Sequence, residues 1–358
     1  MSTSESRKSG MELLKLFAAL CVIVLHYFNG GVGGGLNYVH GTLAVLISRL
    51  FLTISFCAVD LFIMISAYFL SGNCNRRLSK IVFLLLQTSI FRALKYVASS
   101  AIHSTALTIS GLLSSVFSLG YFIVFYSIIY ILSPLINIGL SQLDAKSNKK
   151  ILILLFVFFS IVPSLSALLR SFSVFESDWL GISTVTFKGN FEGYTIVNFF
   201  LCYVIGWYIR HQSVDSETNL HKTVFCLLIN AFVLLVWGYF DWKSAYTYDN
   251  PLVITEAALL IQSFKDFTFH RTIINELSSS SYTCYLTHLF FLEYINIEKY
   301  ASSSWWIMLF HVVISSTGIF FVCYIIHKIY SVCTRRCVKA LSPIIDKFSL
   351  TFRLKENV

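Results

Sequence analysis

The feature that most constrains this chain is a series of uninterrupted apolar segments, each roughly 16 to 28 residues long. A helix rises ~1.5 Å per residue, so segments of that length cross a hydrocarbon core of about 30 Å. Because the segments are continuous rather than alternating, they exclude a transmembrane β-barrel. Only 13% of the residues are charged, whereas soluble domains carry about 25%. The sequence therefore predicts an all-α, polytopic membrane protein.

Ten transmembrane helices are predicted, which places both termini on the same side of the membrane, in the cytoplasm. The spans are about 14–30, 45–71, 80–101, 117–141, 150–170, 195–210, 222–240, 250–267, 282–298 and 304–330. Of the 27 Lys and Arg residues, only Lys188, Lys243 and Lys299 fall in the outer loops. This is the positive-inside pattern. The net charge of +9 thus reflects membrane topology, and we predict no binding to nucleic acid.

The chain is predicted to form a single domain over residues 1–358, because no repeat or Pro/Gly-rich linker divides it. The membrane core covers about 11–330, and residues 331–358 form a basic cytoplasmic tail expected to lie along anionic lipid head groups. None of the nine cysteines falls in a predicted outer loop. The sequence therefore indicates neither a disulfide framework nor a metal site.

A histidine and an aspartate in the first two spans are predicted to lie at the same depth. His26 follows Lys15 by 11 residues, which places it roughly 16 Å above the inner end of its helix. Asp60 precedes Gly72, the inner end of the antiparallel second helix, by 12 residues. A carboxylate beside a histidine fixes its tautomer, which makes a general base. The same pair can also simply lock two helices together, and both interpretations stay open on these residues alone.

Basic residues gather at the inner ends of the first three spans, at Lys15, Arg76, Arg77 and Lys80. The cluster is suited to a phosphate-bearing cosubstrate that enters from the cytosol, but the positive-inside rule explains it equally well. Arg49, near the outer end of the second span, is explained by snorkelling of its long side chain.

Polar side chains deeper in the membrane predict an internal cavity. Arg92 and Lys95 lie roughly 18 to 22 Å along the third span, too deep for easy inward snorkelling. The last three spans contribute Glu256, His288, Glu293 and His311. Ionisable groups within spans tend to face a partner or a water-filled cavity. This distribution favours a transporter or an intramembrane enzyme.

Two classes of transport protein remain as alternatives at this point. A secondary transporter often shows an inverted repeat or helices broken by glycine and proline. The chain shows neither feature and has four prolines. A flippase for lipid-linked glycans typically has more spans and a large outer loop.

The first two spans resemble those of the acyltransferase-3 family of bacterial membrane acyltransferases. In that family ten residues separate a basic residue from a histidine, and "GMELLKLFAALCVIVLHYFN" provides Lys15 and His26, with lysine in place of the usual arginine. The segment "SRLFLTISFCAVDLFIMISAYFLSG" resembles the second helix of the family and carries its pattern at Arg49, Asp60, Phe62, Ser66 and Tyr68. Ala67 replaces the usual glycine after Ser66.

Later segments resemble the family in the same order. "GYFIVFYSIIYILSPLIN" matches a Tyr-x-x-x-Pro pattern at Tyr130 and Pro134, and "YDNPLVITEAALLIQSFK" resembles the eighth helix. "SSSSYTCYLTHLFFL" matches a Tyr-Leu-x-His pattern at Tyr285 and His288. The matches therefore extend over nearly the whole chain.

The resemblance implies an enzyme of the bacterial plasma membrane. It implies transfer of an acyl group, most often acetyl, from acyl-CoA, used as a cosubstrate rather than a bound cofactor, to a hydroxyl of an envelope polysaccharide or lipid-linked glycan. His26 is then the expected general base and Asp60 its orienting partner. The phosphates of coenzyme A are expected at Lys15, Arg76 and Arg77. The remaining residues expected in the substrate pocket are Arg49, Ser66, Arg92, Lys95, Tyr285 and His288.

Two of these roles stay open. Ser66 is expected to pack or hydrogen-bond rather than to act as a nucleophile, because it lies about 9 Å from Asp60 along the helix. His288 either lines the pocket or forms a hydrogen bond between helices. The oligomeric state and the exact acceptor do not follow from the sequence.

Overall fold

The computed structural model describes residues 9–29, 31–172, 193–212 and 220–351, and these residues are predominantly helical. The helices in the first half are α1 (Ser9–Phe28), α2 (Thr42–Phe56), α3 (Ala58–Leu70), α4 (Leu78–Ile102), α5 (Ile109–Phe117), α6 (Tyr121–Ser141), α7 (Ala145–Phe156) and α8 (Val162–Ser171). Those in the second half are α9 (Ile196–His211), α10 (Leu220–Phe240), α11 (Trp242–Ala245), α12 (Pro251–Phe264), α13 (Thr272–Ser279), α14 (Ser281–Leu292), α15 (Ile297–Ala301) and α16 (Trp305–Ile345). Two short antiparallel strands, β1 (Asn75–Arg76) and β2 (Leu350–Thr351), complete the described structure.

Within the described ranges, seven helical segments are long and apolar enough to cross a membrane. They are Ser9–Phe28, Thr42–Leu70, Leu78–Ile102, Tyr121–Ser141, Ala145–Leu169, Leu220–Phe240 and Trp305–Phe348. The prediction of an all-α polytopic protein is thus confirmed. The predicted count of ten spans and the cytoplasmic position of both termini stay predictions.

The other three predicted spans correspond to shorter helices, α9, α12 and α14. Helix α9 has 16 residues, α12 has 14 and α14 has 12, or roughly 18 to 24 Å of helix. All three have many fully buried residues, and α9 packs on α3 while α12 packs on α10. A helix surrounded by protein need not match the thickness of the lipid.

The end predicted for the ninth span, about 282–298, is wrong, whereas its start agrees with the start of α14 within one residue. The chain is already helical from Thr272 in α13, and α14 ends at Leu292. The residues up to 298 include a turn and the start of the short helix α15. The apolar composition continues past Leu292, but the chain reverses there, so hydropathy alone does not mark the end of the helix.

A close contact between α3 and α9 depends on Gly206. A Cβ atom at this position would lie 2.4 Å from the backbone oxygen of Met64 and 2.8 Å from the Cβ of Ala67. Glycine therefore lets the two helix backbones approach each other, as small residues do in membrane helix packing. This contact fixes α3, which carries Asp60, against α9.

After the last predicted span, residues 331–351 continue the final helix and then pack against the start of α4. Helix α16 extends to Ile345, and the chain then folds back onto the start of α4. The Asp346 carboxylate accepts a hydrogen bond from the Ser79 backbone N–H, and the Ser349 hydroxyl accepts one from the Leu78 backbone N–H, each at 2.9 Å. These two bonds satisfy N–H groups that a helix start leaves without partners.

Arg76 holds together the loop between α3 and α4. Its guanidinium is buried and donates to the Ser133 hydroxyl at 2.6 Å and to the backbone oxygens of Asn73, Asn75 and Leu70 at 2.6, 3.1 and 3.0 Å. The structure does not support the phosphate-binding role predicted for Arg76, because its guanidinium already donates four hydrogen bonds to the protein.

We expect Arg76→Met to destabilise the protein, because the buried carbonyl groups would lose their donor. The loss in free energy of unfolding should be at least about 2 kcal/mol, seen as a melting temperature several degrees lower in detergent solution. Arg77→Met is the matched control, since Arg77 is exposed. Equal melting temperatures for the two variants would contradict this structural role.

Candidate active site

Two cavities lie one behind the other between the helices, and they meet at Tyr285. The inner cavity has a volume of about 270 Å³ and the outer cavity about 680 Å³. The inner cavity is lined among others by Glu12, Lys15, Ser66, Lys80, Tyr282 and Tyr285. The outer cavity is lined among others by His26, Arg92, Lys95, Tyr121, Tyr285 and His288. We call the cavities inner and outer because, in the predicted topology, the first lies toward the cytoplasm and the second toward the opposite side.

Aromatic rings separate the two cavities. The Tyr285 side chain lines both of them, and its ring centroid lies 5.0 Å from that of Phe122. Phe122 faces the inner cavity, whereas its neighbour Tyr121 faces the outer one. A molecule that extends from one cavity toward the other would therefore pass these rings.

Two histidines from different helices meet in the wall of the outer cavity. His26, in the last turn of α1, and His288, on α14, have ring centroids 5.2 Å apart. His288 Nδ1 lies 2.8 Å from the backbone oxygen of Cys284. A carbonyl oxygen only accepts hydrogen bonds, so Nδ1 carries the proton when the ring is neutral, and Nε2 keeps a free lone pair.

The Nε2 atom of His288 is buried and has no hydrogen-bond partner in the described part of the chain. Its one bond to the protein is to a carbonyl within its own helix, so His288 does not form the hydrogen bond between helices that the sequence left open. A neutral imidazole with a free lone pair beside His26 can accept a proton or a hydrogen bond.

Asp60 does not pair with His26 as predicted, because the structure pairs it with another residue. The buried Asp60 carboxylate accepts from the Asn198 side-chain amide at 2.9 Å, and the same amide donates to the Tyr248 backbone oxygen at 3.2 Å. Asp60 therefore joins α3 to α9, while His26 lies against α14. Their depth along the helices was the basis of the prediction, but depth does not fix the direction in which a side chain points.

Two lysines from different helices reach the inner cavity. Lys15 comes from α1, and its ammonium lies 3.9 Å from the carboxylate of Glu12. Glu12 also accepts a hydrogen bond from the hydroxyl of Ser278. Lys80 comes from the first turn of α4, and its ammonium lies 5.0 Å from the ring centroid of Tyr130. This arrangement can bind an anion at the inner end of the cavity.

The residues predicted to bind phosphate thus separate in the structure. Lys15 lines the inner cavity, Arg76 is a buried structural residue, and Arg77 is exposed and does not line it. Lys80, the fourth member of the basic cluster, lines the inner cavity with Lys15. Arg77 is the N-cap residue before α4, whereas Lys80 lies within the first turn of that helix, and the sequence carries no signal that shows which of the two faces the cavity.

Of the remaining predicted pocket residues, Ser66 lines the inner cavity. Arg49 lines neither cavity, and its guanidinium lies 5.8 Å from the ring centroid of Tyr239, which is 74% exposed on the outside of the helices. The structure thus supports snorkelling rather than substrate binding for Arg49. Arg92 and Lys95 line the outer cavity.

Long apolar helices around two cavities that carry ionisable side chains define a multi-pass membrane protein with an internal site. A family model described as an acyltransferase domain, that of the acyltransferase-3 family, matches residues 8–328. The chain belongs to this family and is a membrane acyltransferase. The resemblance seen in the sequence motifs is thus confirmed. Searches of the curated proteins and of the solved structures gave no significant match.

We expect the two cavities to be reached from opposite sides of the membrane. Ser66→Cys in the inner cavity should react with a membrane-impermeant maleimide from the cytoplasmic side, and Ser118→Cys in the outer cavity from the opposite side. Labelling is compared on right-side-out and inside-out vesicles. The background has serine at the exposed or half-buried cysteines Cys74, Cys226, Cys333 and Cys337. Reaction of both variants from one side would contradict the predicted arrangement.

Proposed function

We propose that the protein is an O-acyltransferase that moves an acetyl group from acetyl-CoA to a hydroxyl of an envelope polysaccharide or lipid-linked glycan in the bacterial plasma membrane. The observation that carries the proposal is the meeting of two cavities beside His26 and His288, in a member of the acyltransferase-3 family. Family membership favours an enzyme over the transporter and flippase alternatives.

The inner cavity is suited to coenzyme A. Lys15 and Lys80 would bind its phosphates as charge-assisted donors. Between them and Tyr285 the cavity is largely apolar, with Phe62, Ile65 and Leu84 among its walls, and this lining fits the uncharged pantetheine arm. The thioester would then lie near the aromatic rings that divide the two cavities.

The outer cavity is suited to the acceptor. Its walls carry the hydroxyl groups of several serines and tyrosines, which can bond to sugar hydroxyls, and tyrosine rings can pack on sugar rings. Examples are Ser99, Ser114, Ser115, Tyr96 and Tyr248. Because this cavity would open away from the cytosol, we infer that acetyl passes from a cytosolic donor to an acceptor on the outer side.

The chemistry needs a base and a leaving group. His26 would remove the proton of the acceptor hydroxyl as its oxygen attacks the thioester carbonyl. The tetrahedral intermediate then breaks its C–S bond, and the thiolate of coenzyme A takes the proton from His26. The free lone pair of His288 would stabilise the transient imidazolium of His26, and the Tyr285 hydroxyl is a candidate donor to the oxyanion.

We expect His26→Ala to lower acetyl transfer by about 10²- to 10⁴-fold, the usual contribution of a general base. The measurement is ester-linked acetyl on surface polysaccharide from cells that lack the gene, complemented with wild type or variant at matched membrane levels. His288→Ala should also lower transfer, whereas His103→Ala, an exposed histidine outside both cavities, should not. Full activity of His26→Ala would contradict its role as base.

We expect Lys15→Gln and Lys80→Gln to raise the KM for acetyl-CoA by about 10- to 100-fold, with a smaller effect on kcat, because each removes a charged contact to phosphate. The measurement is steady-state release of free coenzyme A by the purified enzyme. Lys328→Gln is the control, since Lys328 pairs with Glu276 outside both cavities. An unchanged KM in both cavity variants would rule out this donor site.

A further inference from the structure

Two cationic side chains line the outer cavity, and they differ in their partners. The Lys95 ammonium is paired with the Glu293 carboxylate at 2.7 Å. The Arg92 guanidinium donates from Nη1 to the hydroxyl of Ser118 at 3.1 Å. Among the described residues, no carboxylate lies within ion-pair distance of Arg92. Of these two cations, Arg92 is therefore the one that no carboxylate in the described part of the chain neutralises.

The guanidinium of Arg92 lies close to the proposed point of reaction. A Cβ atom built on Gly120 would be 3.3 Å from Arg92 Nη2 and 3.6 Å from the Tyr285 hydroxyl, so both groups reach the same part of the cavity wall. The Tyr285 ring in turn lies 6.5 Å from that of His288. Tyr285 therefore lies between Arg92 and His288 in the wall of the outer cavity.

An arginine within a membrane helix is costly unless it faces water or a ligand. Its N–H donors match the two oxygens of a carboxylate or phosphate, and among the described residues one of its five donors is bonded to protein. We propose that Arg92 binds an anionic group of the acceptor, so that the acceptor is a glycan bearing a phosphate or carboxylate. This inference rests on the proposed role of the outer cavity as the acceptor site.

The position of α5 allows this anion to come from a lipid-linked molecule. Ser114 and Ser115 of α5 face the outer cavity, whereas its side chains Ile109, Leu113 and Phe117 are exposed to the surroundings, at 80%, 51% and 76%. A single short helix with an apolar, exposed outer face thus borders the cavity. Either of two groups can supply the anion: the phosphate of a lipid carrier or an acidic group on the glycan.

Arg92 would then select acceptors as well as hold them. A neutral glycan in the same place leaves the guanidinium without a counter-charge, and a site built for a polar partner rejects the analogue that lacks it. The expected discrimination is at least about tenfold in binding.

The test uses the purified full-length protein in nanodiscs of phosphatidylcholine. Two matched pairs of probes distinguish the sources of the anion: undecaprenyl phosphate against undecaprenol, and glucuronate against glucose. Dissociation constants are measured for wild type, Arg92→Gln and Arg92→Lys. Arg49→Gln is the matched control, because Arg49 is a membrane arginine that lines neither cavity.

We expect wild type to prefer the anion of at least one pair, Arg92→Gln to bind that anion about 10- to 100-fold more weakly, and Arg92→Lys to fall between them. Binding of the neutral partner and binding by Arg49→Gln should stay unchanged. Equal binding of anion by wild type and Arg92→Gln overturns the proposal. So does equal weakening by Arg49→Gln, which would show general attraction of anions to the protein.

A separate assay keeps this proposal apart from the proposed function. Anion binding that depends on Arg92, in a protein that transfers no acetyl group, would support the anion site and contradict the enzyme activity. Transfer to an anionic glycan at equal rates by wild type and Arg92→Gln would support the activity and overturn the role of Arg92. If Arg92→Gln does not fold, Arg92→Lys decides, because it keeps the charge and loses the paired geometry.

Discussion

Hydrocarbon cannot solvate a polar group, and this constraint determines most of the structure. Several polar side chains within the spans lie inside the protein, where they meet other polar groups or line a cavity. Asp60 bonds to Asn198, Lys95 pairs with Glu293, and His26 lies beside His288. The lipid-facing side of the helices is apolar. The same constraint therefore both stabilises the helix bundle and creates a protected space for chemistry.

The division of that space by aromatic rings gives the protein its proposed route for an acyl group. Phe122 and Tyr285 lie where the two cavities meet, with lysines at one end and histidines at the other. A charged cosubstrate can bind with its phosphates near the cytosol while its thioester reaches the rings. In the proposed reaction neither substrate has to cross the membrane, because only the acetyl group would move between the cavities.

The sequence predicted the class of the fold, because apolar length and the spacing of basic residues are direct consequences of the membrane, and the resemblance of its motifs predicted the family. It also placed His26, Arg92 and Lys95 at depths where the structure has a cavity. It could not predict which way each side chain points. His26 and Asp60 share a depth but face different helices, and Arg76 sits in a basic cluster yet bonds to backbone oxygens. Those directions depend on helix rotation and loop packing, which hydropathy does not encode.

The central claim is that donor and acceptor occupy opposite sides of the membrane. The most direct measurement supplies [¹⁴C]acetyl-CoA, which does not cross the bilayer, to inside-out and right-side-out vesicles that contain the protein and the native envelope glycans. The account predicts labelled, ester-linked acetyl on glycan enclosed in the inside-out vesicles and none with right-side-out vesicles. Labelling of glycan exposed on the same side as the acetyl-CoA would contradict it.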